Sequence, residues 1–172
     1  MKIILLRGLA ASGKTTLMNK IKSEYPEYSL WSKDTLFDQL LNENVEWDLA
    51  NKKTYNHLFE LIKNNKDTDH KLIIDAPYYR ESEYSKLKEF CENQNVLFTS
   101  VLVTCSSETE WRNRFKERSK NPKPNQTITD YDEIKNYYGS MYVESVVDEF
   151  IFDSCDQSPK QYKNLISYIR SW

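Results

Sequence analysis

Glycine is scarce in this chain, three among 172 residues, yet two of them stand five apart in Gly8-Leu9-Ala10-Ala11-Ser12-Gly13-Lys14-Thr15. A glycine costs backbone entropy on folding, so a chain that uses so few keeps them where nothing else fits. The residues before them, Lys2 to Leu6, are aliphatic without alternation, which predicts a strand buried on both faces. Those after them, Leu17, Met18, Ile21 and Tyr25, recur at helical spacing until Pro26. The segment is therefore strand, glycine loop, helix, and it matches G-x-x-x-x-G-K-[ST] in the setting that pattern requires. In such a loop successive backbone N–H groups turn inward around phosphate oxygens, and the helix N-terminus adds its positive dipole end. The expected nucleotide contacts are Gly8, Ala11, Ser12, Gly13, Lys14, Thr15 and Thr16. Lys14 is expected to reach the β- and γ-phosphates of ATP, and Thr15 to hold Mg²⁺ through its hydroxyl.

The same alternation continues along the chain. Tyr28 to Trp31, Leu72 to Ile74, Val96 to Thr104 and Glu149 to Phe152 read as further strands. Between them, stripes at Leu36, Phe37, Leu40 and Leu41, then from about Leu49 to Ile62, and at Tyr84, Leu87, Phe90 and Cys91 read as helices. Ser107 with Glu110 makes a capping box for another helix, and Ser158-Pro159 opens the last. Five strands alternating with helices predict an α/β fold, a mainly parallel sheet with helices on both faces, in one domain over residues 1–172. Only Arg112 to Thr129, basic and then polar with two prolines, breaks the rhythm, and it reads as a functional loop.

Composition excludes several classes. With 24 Lys and Arg against 26 Asp and Glu, the chain is no dedicated polyanion binder. Cys91, Cys105 and Cys155 are an odd number without C-x-x-C spacing, so reduced thiols are expected rather than a disulfide framework or a zinc cluster. The apolar run after Met1 ends at Arg7, too soon for a signal peptide, and nothing approaches the ~18 apolar residues of a membrane span. A cytoplasmic protein with no membrane partner is the expectation.

Asp75 ends the strand Leu72-Ile73-Ile74, where a carboxylate on a strand beside the glycine loop reaches the metal's water shell. Switch GTPases are disfavoured, because Asp75-Ala76-Pro77-Tyr78 lacks the glycine of D-x-x-G and no N-K-x-D occurs. With the loop at Gly8, an acid after the second strand at Asp34, the strand-end Asp75 with Arg80 beyond it, and Arg112-x-Arg114-x-x-x-Arg118, the chain resembles the small P-loop kinases related to polynucleotide kinase and chloramphenicol phosphotransferase. The resemblance spans nearly the whole chain. It implies the P-loop NTPase fold with a central P-loop strand, transfer of the γ-phosphate of ATP to a hydroxyl acceptor, and an arginine-rich lid at about 112–129. It also implies that the second strand, and with it Asp34, lies next to the P-loop strand.

On that reading Asp34 is the catalytic base, at the carboxyl edge where an acceptor approaches, with an N-cap of the following helix as its structural alternative. Arg114 and Arg118 join Lys14 in neutralising charge on the transferred group, while Lys116, Lys120 and Lys123 face solvent. Tyr78 and Arg80, with Trp47 and Tyr79 nearby, are candidates to wall the acceptor site and pair an anionic substituent. Related polynucleotide kinases carry Arg three residues beyond the acid; Phe37 stands there instead, which favours a small-molecule or nucleoside-like acceptor over a polynucleotide. The alternative is a nucleotide-binding regulator or toxin-like module with little turnover.

Overall fold

In the computed structural model, which describes residues 1–172, the unalternating apolar runs are strands and the 3.6-spaced stripes are helices. The order is β1 (Lys2–Arg7), α1 (Lys14–Glu24), β2 (Tyr28–Ser32), α2 (Lys33–Asn42), α3 (Trp47–Asn65), β3 (Lys71–Asp75), α4 (Glu81–Asn93), β4 (Leu97–Thr104), α5 (Glu108–Ser119), α6 (Tyr131–Tyr138), β5 (Phe150–Asp153) and α7 (Pro159–Arg170). Every strand pairing is parallel, and the sheet order is β2-β3-β1-β4-β5. β1 is central, as expected. β2, however, is not its neighbour: β3 lies between them, and β2 forms the sheet edge.

A parallel sheet is covered on both faces because each crossover carries a helix to one side or the other. Successive residues of β1 accordingly face opposite ways. Ile3 and Leu5 join Leu58 and Ile62 of α3 and Leu87 of α4 in one apolar cluster. Ile4 and Leu6 join Leu17 and Ile21 of α1 and Leu165 of α7 in the other. No helix is long and apolar enough to cross a membrane.

Three local expectations change. Arg112 to Ser119 lies in α5, so only the remainder of the 112–129 stretch is loop. A short helix, α6, follows it, with Asp130 accepting from the N–H groups of Asp132 and Glu133 and Gly139 ending it at φ +74°. Arg7, which reads in sequence as the polar stop of an apolar run, is instead wholly buried. Its guanidinium donates to both Glu149 carboxylate oxygens and to the carbonyls of Tyr78 and Glu144. Both charged side chains are at most 1% exposed, so removing either one would strand a buried charge at a cost of about 3–5 kcal/mol. The pair ties the turn after β3 and the segment before β5 to the strand that feeds the glycine loop.

Candidate functional site

Everything distinctive gathers at the carboxyl edge of the sheet. The register brings Ser32 of β2, Asp75 of β3 and Leu6 of β1 abreast, so the residues just beyond each strand end face one another. Gly8 has φ +140°, and a Cβ there would lie 2.3 Å from the Val103 carbonyl oxygen, so no other residue fits. Gly13 at φ +105° and Ala11 at φ +60° complete the turn into α1.

Lys14 Nζ donates to the Gly8 and Leu9 carbonyls, each at 2.9 Å, and so spans the loop it belongs to. Thr15 Oγ1 donates to an Asp75 carboxylate oxygen. Burial pushes the Lys14 ammonium below its ordinary pKa, opposed by Asp75 and Asp34. Burial likewise lifts the Asp75 carboxyl, opposed first by Lys14 and then by the Thr15 hydroxyl. A hydroxyl and a carboxylate held together, both hard oxygen donors, suit Mg²⁺. The Ser12 hydroxyl, buried in the same loop, has no hydrogen-bond partner.

Asp34 occupies the first turn of α2, its side chain 59% exposed, with Lys33 Nζ 3.9 Å away. The N-cap is Ser32, whose hydroxyl accepts from the Thr35 N–H, so helix capping does not account for Asp34. From α5, Arg114 donates to the Glu110 carboxylate, the Ala11 carbonyl and the Ser154 hydroxyl. The Arg118 guanidinium, one turn on, has no hydrogen bond or ion pair with any protein group, and only the residue's backbone is engaged, its carbonyl accepting from the Asn121 N–H. Burial lowers its pKa, opposed by Asp34 and Asp75. Arg112 belongs elsewhere: it is exposed and paired with Glu108 and Asp132.

These groups surround one cavity of about 680 Å³, lined among others by Lys14, Thr15, Asp34, Asp75, Arg114 and Arg118. Tyr78 and Arg80 do not line it. The Tyr78 ring is 4% exposed and packs edge-on against Tyr55, while Arg80 points to solvent beside Glu83. Phe37 is core, in edge contact with Trp47. The sequence reading missed the turn after β5, where Ser154, Asp156 and Gln157 form the far wall, with Tyr162 of α7 behind. That turn carries no phosphate-type motif. It is tied to the end of β4 by the Ser154 N–H donating to the Thr104 carbonyl and by Cys155 and Cys105, whose sulfurs lie 2.9 Å apart as free thiols.

A central glycine loop, a strand-end acid on the adjacent strand and an arginine-bearing helix over one cavity define a P-loop kinase-like α/β protein. The chain belongs to the family described as AAA domain (AAA_33), whose model matches residues 3–135. No curated protein matches it. Solved structures share its fold. Kti12 of Chaetomium thermophilum in complex with ADP-AlF3 superposes with a TM-score of 0.71 at 18% identity, over 98% of this chain and 97% of that one. A gluconokinase from Sinorhizobium meliloti gives 0.65 at 14%, over 99% and 91%. The Mycobacterium tuberculosis APS kinase CysC in complex with AMPPNP and APS gives 0.64 at 14%, over 98% and 97%.

Proposed function

We propose that the protein is an ATP- and Mg²⁺-dependent kinase acting on a hydroxyl of a small-molecule or nucleoside-like acceptor. The observation that carries this reading is the convergence of Lys14, Thr15, Asp75, Asp34 and Arg118 on one cavity. A module that only bound nucleotide would have no use for an acid such as Asp34 beyond the metal-binding pair. The gluconokinase and the APS kinase of the same fold support a small-molecule acceptor. So does Phe37, buried where the related polynucleotide kinases place an arginine.

On this reading the P-loop amides and Lys14 hold the β- and γ-phosphates, and Thr15 with Asp75 holds Mg²⁺. The metal would supply charge neutralisation across the phosphate oxygens. Asp34 orients the acceptor hydroxyl and takes its proton as the acceptor oxygen bonds to the γ-phosphorus and ADP leaves. Arg118, with no protein partner of its own, meets the charge on the transferred group, while Arg114 stays tied to the loop and to Ser154.

Screening ADP release from MgATP against a library of hydroxylated metabolites tests the proposal. At least one compound is expected to raise release well above the rate with water alone. Tight MgATP binding with no stimulation by any compound would favour the regulatory alternative. Two lid variants are expected to separate. Arg118→Ala lowers kcat/KM for ATP more than it weakens equilibrium ATP binding, because its guanidinium acts chiefly on transition-state charge. Arg112→Ala leaves both within about twofold, since exposed ion pairs contribute little. Equal losses in the two variants would remove Arg118 from the site.

A further inference from the structure

Asp38 is a buried carboxylate that the chemistry above does not use. It is 8% exposed, on α2 one turn after Asp34. Its Oδ1 accepts the backbone N–H of Asn125 at 2.8 Å, across 87 residues of sequence. That is the one hydrogen bond between α2 and the loop that joins α5 to α6. Around it α2 and the loop meet across a crevice of about 500 Å³, lined by Thr35, Gln39, Asn42, Glu43, Lys123 and Pro124 besides Asp38, with no Leu, Ile, Val, Met or aromatic residue among them.

We infer that Asp38 is a positioning residue: by holding Asn125 it fixes the end of α5, and so Arg118, over the cavity that Asp34 faces. The inference rests on the kinase reading above. Its physical basis is the contrast between the two sides of the loop. Toward α6 and the P-loop, the region is anchored by apolar packing, with Ile128 against the cluster of Leu9, Trp111, Phe115, Tyr131 and Ile134. Toward α2 the tie is the Asn125–Asp38 hydrogen bond, beside an open crevice with no Leu, Ile, Val, Met or aromatic side chain to keep it closed. Trp111, Phe115 and Arg114 hold the body of α5, and the hydrogen bond to a buried carboxylate then sets how its far end, beyond Phe115, sits relative to α2. Burial raises the pKa of the Asp38 carboxyl, and the Asn125 N–H opposes that first, as a bond to the charged form does. Because Asp34 and Asp38 share one helix, the base and the lid are placed by the same element.

The test uses the whole chain, MgATP as probe and water as acceptor. Asp38→Ala is expected to lower kcat for MgATP hydrolysis roughly tenfold while the KM for ATP moves less than about threefold, the signature of misplacement at the reacting group. In the nucleotide-free protein, amide exchange over residues 121–129 is expected to quicken, at Asn125 most. Asn125→Pro removes the same N–H from the other side and is expected to reproduce the loss even if Asp38→Ala folds poorly. Asn125→Ala keeps the N–H, and Asp38→Asn keeps an accepting oxygen; both are expected to turn over within about twofold of the parent. Parent-like turnover in Asp38→Ala and Asn125→Pro, with MgATP still bound, would overturn the positioning role and leave the kinase reading standing. Failure of the parent to bind MgATP would overturn both.

Discussion

Lys14→Ala is expected to weaken MgATP binding by about a hundredfold or more, read by calorimetry, while leaving the protein folded. The size follows from what the ammonium does. Hydrogen bonds to a charged group contribute about 1.5–3 kcal/mol each, and every 1.4 kcal/mol is tenfold in affinity, so losing two phosphate contacts reaches this range. Lys14 Nζ already points along the loop, donating to the Gly8 and Leu9 carbonyls, and no other lysine of the P-loop stands in reserve. For stability the buried charge itself is a cost. Burial lowers the Lys14 pKa, so the folded state binds that proton more weakly than the unfolded chain does. The residue therefore costs stability wherever the unfolded lysine is charged, which is everywhere below its ordinary value of 10.5. Removing it relieves that cost but also takes the donor from the Gly8 and Leu9 carbonyls and the cation from beside Asp75, so the nucleotide-free variant is expected to stay folded with little change in melting temperature. Unchanged ATP affinity in Lys14→Ala would end the nucleotide-binding reading.

Asp34→Asn is expected to retain MgATP affinity and to lose kcat by roughly 10²-fold or more, the scale of a positioned general base. Asn keeps the shape and a hydrogen-bond acceptor but takes no proton. Helix α2 is expected to survive the change, because Ser32 supplies the N-cap and Asp34 is exposed in the first turn. Loss of a favourable charge at the helix N-terminus costs only about 0.3–1 kcal/mol. Near-normal turnover in this variant, measured with the acceptor that the screen returns, would remove Asp34 from the chemistry. Unfolding would assign it to α2 instead.

Much of this was legible from residues close together in the chain. A glycine loop between a two-face-buried strand and an amphipathic helix is a local pattern, and its outcome at Gly8 and Gly13 is set by local geometry: positive φ at both, and no room for a Cβ at Gly8. Short apolar runs without alternation predicted strands for the same reason. Helix α6 went unread in the sequence: Asp130 and Gly139 bracket it as N-cap and left-handed terminator, but its eight residues hide among polar neighbours. Arg112, Arg114 and Arg118 share one basic stretch in the sequence, whereas the fold sends Arg112 to Asp132 and leaves Arg118 over the cavity.

Local pattern specified which segments pair with helices and where the phosphate loop lies, because dihedral preference, hydrophobic period and glycine geometry act over a few residues. Which side chains meet across the chain was settled by strand order and packing. β3 inserts between β1 and β2, so Asp75, not Asp34, comes to Thr15. Arg7 finds Glu149 142 residues away, and Asp38 finds Asn125 across the cleft. Contacts of this kind leave no periodicity to read: a buried charge needs a partner from wherever the fold brings one, and that partner is chosen by the desolvation cost of leaving the charge alone.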